Sequence, residues 1–516
     1  MRPCFNTAGP CNPRDHYMLP PERRLGRVMR LIEDHKYFTL TAGWQTGKTT
    51  SAKWLEKHLN ATGNWRAMWV DLETAREQSD PVKGFRTILH KFLEVCGRVH
   101  PDVPRPELDA LLQAPLRSLS TVLSHLAQQS DRPWVIFFDE ADCLVGETMV
   151  SFLTQLREGY LDRFDRPFPA SVVLVGRRQV RDFILREEDR RVVAWMGTSS
   201  PFNISAEALT IGSFAEAEVA ELLQQHTTRT GQIFLPEAAA KIFELGQGHP
   251  WLTNALADQI VDRDVEDRGV AITAEHVEAA KETIILERRS HIDSLIARLR
   301  EDRVRRVLDP MLSGEQTPND VLHDDFAYVL GLGLIRKAQG HYQVANPIYR
   351  EVIPRALSYD RQMQIWNEPV WYVQKDGSLD MAKLMTDWQQ FWRKDGHLAV
   401  EGFGYRESGP HLMLMAFLQR VINGGGRIER EYGLGRGALD LMIEWQNDRH
   451  AIEVKLRRNK STEADALEQI GGYLERLGLS EGWLVLFDLR KGGRWEKKLY
   501  QRDVEFSGKR IRIVGS

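Results

Sequence analysis

The chain has 516 residues, 42% of them hydrophobic and 27% charged, with a formal net charge of −3. That length suits about three domains, and the composition excludes collagen-like and disordered classes. No apolar run approaches the roughly 18 residues needed to span a bilayer, and no signal-like segment opens the sequence, so a cytoplasmic protein with no membrane partner is expected. The four cysteines, Cys4, Cys11, Cys96 and Cys143, form no Cys-x-x-Cys pair, which argues against both a zinc site and a disulfide framework.

Residues 1–36 are rich in Pro and Arg, and Arg27 to His35 carries Val28, Leu31 and Ile32 on one helical face. Tyr37 to Thr41 reads as a strand. It runs into Ala42-Gly43-Trp44-Gln45-Thr46-Gly47-Lys48-Thr49-Thr50, where Gly-Lys-Thr opens a helix. Strand, short loop and helix in that order form a phosphate-cradling loop, whose backbone N–H groups and helix N-terminus wrap the phosphates of ATP. Lys48 would reach the β- and γ-phosphates, and the Thr49 hydroxyl would sit on Mg²⁺. Ala42 stands where the pattern has its first Gly, with Gly43 beside it.

The helix continues through Asn60, and Trp65 to Glu73 is the next strand. Helices follow over Val82–Val99 and Leu116–Gln129. Trp134-Val-Ile-Phe-Phe-Asp139-Glu140 is then an apolar strand with carboxylates at its C-terminal end, where open α/β sheets place ligands. Asp139 would hold Mg²⁺ and Glu140 would polarise the attacking water. Thr148 to Gly159 is a helix, and Ser171 to Gly176 is a strand ending in Arg177-Arg178. From Phe214 to about Leu286 the pattern is helical, interrupted by Gly246-Gln-Gly-His-Pro250-Trp251, where a helical lid could bear on the nucleotide. Residues 287–357 are mostly helical, with two short strands around Gly340; they read as a winged helix that contacts DNA or as a structural adaptor. Residues 358–400 read as a linker with one helix, Leu379 to Trp392.

The Pro-rich arm, the Gly-Lys-Thr loop, Phe-Phe-Asp-Glu, Ser200-Pro-Phe-Asn203 and Gly-His-Pro-Trp together resemble bacterial AAA-type ATPases of the STAND or archaeal-ATPase type. The resemblance implies a P-loop parallel sheet over 1–213 and a helical lid over 214–286. It implies that Pro250 contacts phosphate, and that the strand ending at Gly176 leads to a γ-phosphate sensor. Arg178 and Arg181 are candidates for that role, or are structural arginines. The family motif after this strand has Asp where this chain has Gln179. The arm before such a loop often folds against the adenine, which makes Tyr17 and Arg24 candidates there, or else simply packs. Rings are common among such ATPases, so a homo-oligomer is possible, but no unambiguous arginine finger is visible.

The region from about residue 401 carries different chemistry. Helix (Pro410–Ile422), three strands (Arg427–Tyr432, Ala438–Trp445, His450–Arg457), helix (Glu463–Leu477) and strand (Gly482–Asp488) give an αβββαβ order. With Asn447-Asp448 as a turn, Leu439 opposes Leu456, Leu441 opposes Val454 and Ile443 opposes Ile452, all on one face. Asp440 then lies across from Lys455, with Glu453 diagonal. Asp440, Glu453 and the Val454 carbonyl offer hard oxygen ligands for Mg²⁺, and Lys455 would orient a water for attack on a phosphodiester. A minor surface ion pair is the plain alternative. Residues 401–516 hold 20 Lys and Arg against 17 Asp and Glu. Arg427, Arg430, Arg436, Arg457, Arg458 and Lys460 form either a phosphate-facing patch or a solvated surface.

The element order and acidic residues are similar to the PD-(D/E)xK nuclease superfamily. That resemblance implies a further acid, Glu407, before the first helix. Gln469 and Tyr473, one helical turn apart, match a Gln-x-x-x-Tyr motif of families resembling the exonuclease domain of bacterial recombination helicase–nucleases, where they contact DNA or brace the lysine. The expectation is therefore an α/β ATPase with lid, winged-helix-like and nuclease-like regions, using ATP and Mg²⁺, with DNA as substrate. A nucleotide-switched assembly or signalling protein whose C-terminal region only binds DNA or protein, and an ATP-driven DNA remodeller with a vestigial nuclease, are the rivals.

Overall fold

The structure is a computed structural model, which describes residues 3–41, 43–176, 204–312, 324–338, 340–362, 372–396, 408–422, 426–434, 437–446, 448–457, 461–488 and 498–516. Ala42, Arg178, Gln179, Arg181, the 200–203 motif, Glu407, Arg436, Asn447, Arg458 and Lys460 lie outside the described residues. The chain forms two compact units. The first is Met1–His291 with Asp320–Arg336, and the second is Ile292–Asn319 with Lys337–Ser516.

Unit 1 is built on a five-stranded parallel sheet in the order β2-β3-β4-β1-β5. Its strands are β1 (Tyr37–Thr41), β2 (Arg66–Asp71), β3 (Trp134–Asp139), β4 (Ser171–Gly176) and β5 (Ser205–Thr210). Every residue of β1, β3 and β4 is buried, whereas β5, on the edge, is only partly covered and alternates with exposed positions. The period of two along β3 divides its side chains between two helical layers. Trp134, Ile136 and Phe138 join one core with Phe85 and Phe92 of α3 (Pro81–Val99), Leu119 of α4 (Pro115–Gln128) and Phe152 of α5 (Gly146–Leu161). Val135 and Phe137 join the other, with Leu31 of α1 (Gly26–Glu33) and Leu55 and Leu59 of α2 (Lys48–Thr62). Local signals set the helix starts: Pro81 opens α3, and the Asp80 side chain accepts from Val82 N and Lys83 N.

The stretch expected as a lid is helical: α6 (Glu216–Thr230), α7 (Pro236–Gly246), α8 (Pro250–Gln259) and α9 (Ala274–Leu286). The N-terminal arm is tied to it. Met18 exchanges two hydrogen bonds with the Gln225 amide, the Tyr17 hydroxyl lies 3.2 Å from His226 Nδ1, and Trp251 Nε1 donates to Thr7 O at 2.9 Å. Arg24 lies 4.7 Å over the Phe214 ring. The arm also reaches α2, with Cys11 N donating to Thr50 Oγ1 at 3.0 Å.

Unit 2 contains a six-stranded mixed sheet in the order β12-β13-β11-β10-β9-β8. The elements expected there form in the expected order: α15 (Gly409–Ile422), β8 (Gly426–Leu434), β9 (Gly437–Trp445), β10 (Asp448–Leu456), α16 (Thr462–Leu477) and β11 (Glu481–Phe487). Before them come α10 (Ser290–Arg298), α11 (Asp302–Leu312), α12 (Asp324–Gly331), the short strands β6 (Ile335–Ala338) and β7 (His341–Val344), α13 (Pro347–Gln362) and α14 (Met381–Phe391). Of these, Ser290 and His291 at the head of α10, all of α12 and the head of β6 fall in unit 1. Two strands that the αβββαβ reading lacks, β12 (Tyr500–Phe506) and β13 (Lys509–Gly515), extend the sheet past β11. One sheet face packs Met442, Ala451, Leu484, Leu486, Ile511 and Ile513 under Ala466, Ile470, Tyr473 and Leu474 of α16. On the other side, Phe487 meets Trp388 of α14 at 6.0 Å and Trp392 at 4.9 Å.

The β9–β10 register differs from expectation by two residues. Ile452 opposes Leu441, His450 opposes Ile443, and Asp448 opposes Trp445. β9 ends at Trp445, Gln446 follows at φ +52°, and Asp448 already belongs to β10, where an Asn447-Asp448 turn was expected. A slip of two keeps every side chain on its face, so the apolar pattern alone does not separate the two registers.

Candidate functional site

In unit 1, β1 lies between β4 and β5, so its C-terminal end is where the chain order of the sheet reverses. Gly47 has φ +91°, a left-handed value glycine adopts without strain, and it turns the chain directly into α2. Lys48 is 8% exposed and its Nζ donates to Gly43 O at 3.0 Å. Thr46 Oγ1 donates to the same carbonyl at 2.8 Å. Thr50 is taken up by the arm through Cys11 N.

Asp139 and Thr49 converge, with Thr49 Oγ1 donating to Asp139 Oδ2 at 2.8 Å. Trp69 Nε1 donates to that oxygen at 3.0 Å, and Glu140 N donates to Oδ1 at 3.0 Å. Burial pushes the Asp139 carboxyl above its usual range, while these donors and the Lys48 charge oppose the shift. A hydroxyl and a carboxylate in contact are the hard-oxygen pair that suits Mg²⁺. Glu140 takes φ +54°, left-handed for a non-glycine residue. Its Oε2 lies 3.9 Å from Arg76 Nη2. Sequence reasoning named neither Trp69 nor Arg76 as part of this site; both follow from the parallel β2–β3 pairing, which sets Asp71 beside Asp139.

The helical region meets the loop through His249, which stands just before Pro250, the residue expected to contact phosphate. Pro250 is the first residue of α8, while the His249 ring caps that helix and its Nε2 donates to Trp44 O at 3.1 Å. Nδ1 accepts from Leu252 N at 3.4 Å. Both bonds need the neutral ring protonated on Nε2. Burial, with Lys48 nearby, lowers this imidazole to about 4. Gly248 allows the approach: at φ +71°, a Cβ there would fall 1.9 Å from Phe214 O. Gln45 is joined from outside the loop as well, its Oε1 2.8 Å from His291 Nδ1.

In unit 2, β9 and β10 bring Asp440, Glu453 and Lys455 together. Lys455 Nζ lies 2.7 Å from Glu453 Oε1 and 3.7 Å from Asp440 Oδ2, and Val454 N donates to Asp440 Oδ2 at 2.8 Å. Glu453 is 1% exposed, and its Oε2 is buried with no hydrogen-bond partner among the described residues. Burial and then the Asp440 charge push Glu453 well above the usual carboxylate range, against the pull of Lys455. Tyr473 is buried on α16, its hydroxyl raised by burial and then by the Glu453 and Asp440 charges. Gln469, one turn earlier, is exposed. Among the described residues no three His, Cys, Asp or Glu side chains form a metal-holding group. Two carboxylates and the Val454 carbonyl are thus the available oxygen set. A cavity of about 10 Å³, lined by Asp440, Leu441, Val454, His411, Leu412 and Met415, adjoins it. Of the basic residues expected nearby, Arg457 pairs with Glu463 at 3.4 Å, and Arg502 also bonds Glu463.

A model for a domain of unknown function, DUF8371, matches residues 383–491. No curated protein sequence matches the chain. Among solved structures, a Walker-type ATPase of Pyrococcus abyssi is similar at 16% identity with a TM-score of 0.45, covering 68% of this chain and 99% of its own. The RuvB Holliday junction branch migration motor of Thermotoga maritima has 15% identity and a TM-score of 0.34, covering 65% and 95% respectively. Cdc6p of Pyrobaculum aerophilum has 14% identity and a TM-score of 0.35, covering 66% and 95%. No helix among the described residues is long and apolar enough to cross a membrane. All three structures are remote in sequence, so substrate and activity rest on the geometry of the two sites.

Proposed function

We propose that the chain binds and hydrolyses ATP in unit 1 and carries a Mg²⁺-dependent nuclease site for DNA in unit 2, with the ATPase regulating access to the nuclease. The observation that carries the first part is the Thr49–Asp139 bond beside Lys48. It sets a magnesium-type oxygen pair next to a phosphate-type lysine at the C-terminal edge of a parallel sheet. Glu140, next in the chain, orients the attacking water. Lys48, Thr46, Gly47 and the loop amides bind and orient the phosphates.

The second part is supported by Glu453 Oε2, a buried oxygen with no hydrogen-bond partner among the described residues, between Asp440 and Lys455. Asp440, Glu453 and the Val454 carbonyl would hold Mg²⁺, which when bound neutralises charge developing on the phosphodiester. Lys455 holds the attacking water, and Tyr473 shields the site from α16. The AAA-type core and lid, the winged-helix-like stretch over 287–357 and the PD-(D/E)xK assignment of 401–516 belong to the same proposal, as does a homo-oligomeric state. The second reading is a nucleotide-switched binding protein. It is favoured by the capture of Arg457 and Arg502 by Glu463, which leaves less positive charge for a DNA backbone.

The test uses purified full-length protein, linear and circular DNA, Mg²⁺, and ATP present or absent. Wild type is expected to cut, Lys455→Ala to cut at least about 100-fold more slowly, and Lys48→Ala to lose ATP turnover and ATP dependence together. No cutting under any condition leaves the binding-protein reading. Cutting by Lys48→Ala that matches wild type removes ATP as the regulator.

A further inference from the structure

Gln45 stands in the middle of the phosphate loop with φ +53°. That left-handed conformation is disfavoured for any residue with a Cβ, and it persists where surrounding structure holds it. The group placed to do so is His291, 2% exposed, with Nδ1 2.8 Å from Gln45 Oε1. Because the amide oxygen accepts, Nδ1 carries the ring proton.

The His291 ring is itself fixed from two directions. It stacks on Trp251, with centroids 4.8 Å apart and planes at 19°, and it abuts His249 at 4.7 Å. Trp251 is anchored to the arm through Thr7 O, and His249 to the loop through Trp44 O. Two successive loop residues, Trp44 and Gln45, are therefore each gripped by an imidazole from outside the loop. Burial and the neighbouring His249 keep His291 well below the usual histidine range, so it offers a hydrogen bond and not a second cation.

We infer that His291 is a positioning residue for nucleotide: it holds Gln45 left-handed and so pre-sets the loop amides that receive the phosphates. A loop ordered before the ligand arrives binds it more tightly than one that must order on binding. The inference rests on the proposed ATP site and adds a residue lying beyond both loop and lid. Residues two positions past Arg289 would otherwise read as the start of an unrelated helix.

The experiment compares His291→Ala, His291→Asn, Gln45→Gly and the His291→Ala/Gln45→Gly double variant in the full chain. ATP affinity is measured by calorimetry with Mg²⁺, and amide hydrogen exchange over residues 43–49 is followed without nucleotide. His291→Ala should weaken ATP binding about 5- to 10-fold, close to the tenfold that 1.4 kcal/mol represents, and should speed exchange in the loop. His291→Asn, which keeps a short side-chain donor, should recover part of both. Glycine adopts the left-handed state unaided, so the double variant should bind ATP more tightly than His291→Ala alone. Unchanged affinity and unchanged loop exchange in His291→Ala overturn the inference, as does a loss that Gln45→Gly does nothing to relieve. If His291→Ala fails to fold, His291→Asn beside wild type decides by the same two readouts. A wild-type chain that binds no ATP sinks the nucleotide reading, while exchange in the nucleotide-free loop still shows whether His291 holds Gln45.

Discussion

Asp139 and Glu453 are both carboxylates at 1% exposure, and they differ in what surrounds them. Asp139 takes hydrogen bonds from Thr49, Trp69 and its own neighbour Glu140. Glu453 has Lys455 on one oxygen and, among the described residues, no hydrogen-bond partner on the other. A buried acceptor without a partner costs about 1–3 kcal/mol, and more if charged. The first site is thus nearly complete in protein atoms, and a cation would exchange one set of partners for another. The second is short of one partner, and a cation would supply it. The two sites should respond differently to the same perturbations.

The largest contrast is expected from Glu453→Gln. Removing the charge that would hold a metal should weaken binding of Mg²⁺ or Mn²⁺ on the order of 100-fold or more, while the metal-free protein keeps its melting temperature. A melting-temperature titration with metal checks this. If metal stabilises the variant as it does wild type, Glu453 is not a ligand and the contrast collapses.

A smaller effect should come from pH, through His249 in unit 1. His249 is held neutral, at about 4 against an ordinary value of 6.5. Its folded value is depressed, so the unfolded chain binds the proton first. The stability it contributes is complete above about pH 6.5 and is lost as pH falls toward 4. At about 1.4 kcal/mol per pKa unit, the loss is on the order of 3 kcal/mol. Denaturant titrations from pH 7.5 to about 4.5 should show the decline, flattened in His249→Asn. A curve of the same slope in the variant would assign the acid sensitivity to other groups.

The smallest change is Trp69→Phe. It removes one of the three donors to Asp139 and keeps most of the ring, at a cost of about 1 kcal/mol. ATP turnover at saturating Mg²⁺ should be little altered, and the Mg²⁺ concentration for half-maximal turnover should shift by a few fold. A drop in turnover that excess Mg²⁺ does not repair would place Trp69 closer to the chemistry than the geometry does.

What was legible in the sequence follows from how local each feature is. Tyr37 to Thr50 carries strand, turn and helix signals within one short stretch, and the three form where the pattern puts them. The stretch 214–286 was legible as helices, but the His249 contact with the loop was not, because a ring orientation is not visible in sequence. His249 and His291 act through long-range packing that no spacing encodes. In unit 2, Asp440, Glu453 and Lys455 were brought onto one face by period-two alternation, although the register was off by two. The strands β12 and β13 were missed despite a usable signal. Charged and apolar residues alternate on both sides of Ser507-Gly508, which take φ +50° and +71° as a two-residue hairpin turn requires.

The Gln446 turn between β9 and β10 has an evolutionary consequence. Adding or removing two residues there would return every apolar side chain to its own face, so selection for folding alone would tolerate the change. It would also move Asp440 past its present neighbours, Val454 and Lys455. A paired insertion or deletion there would therefore re-pair Asp440 along β10 while leaving the apolar faces intact. In any set of relatives, the length of that turn should separate those that keep the site's chemistry from those that keep only its architecture.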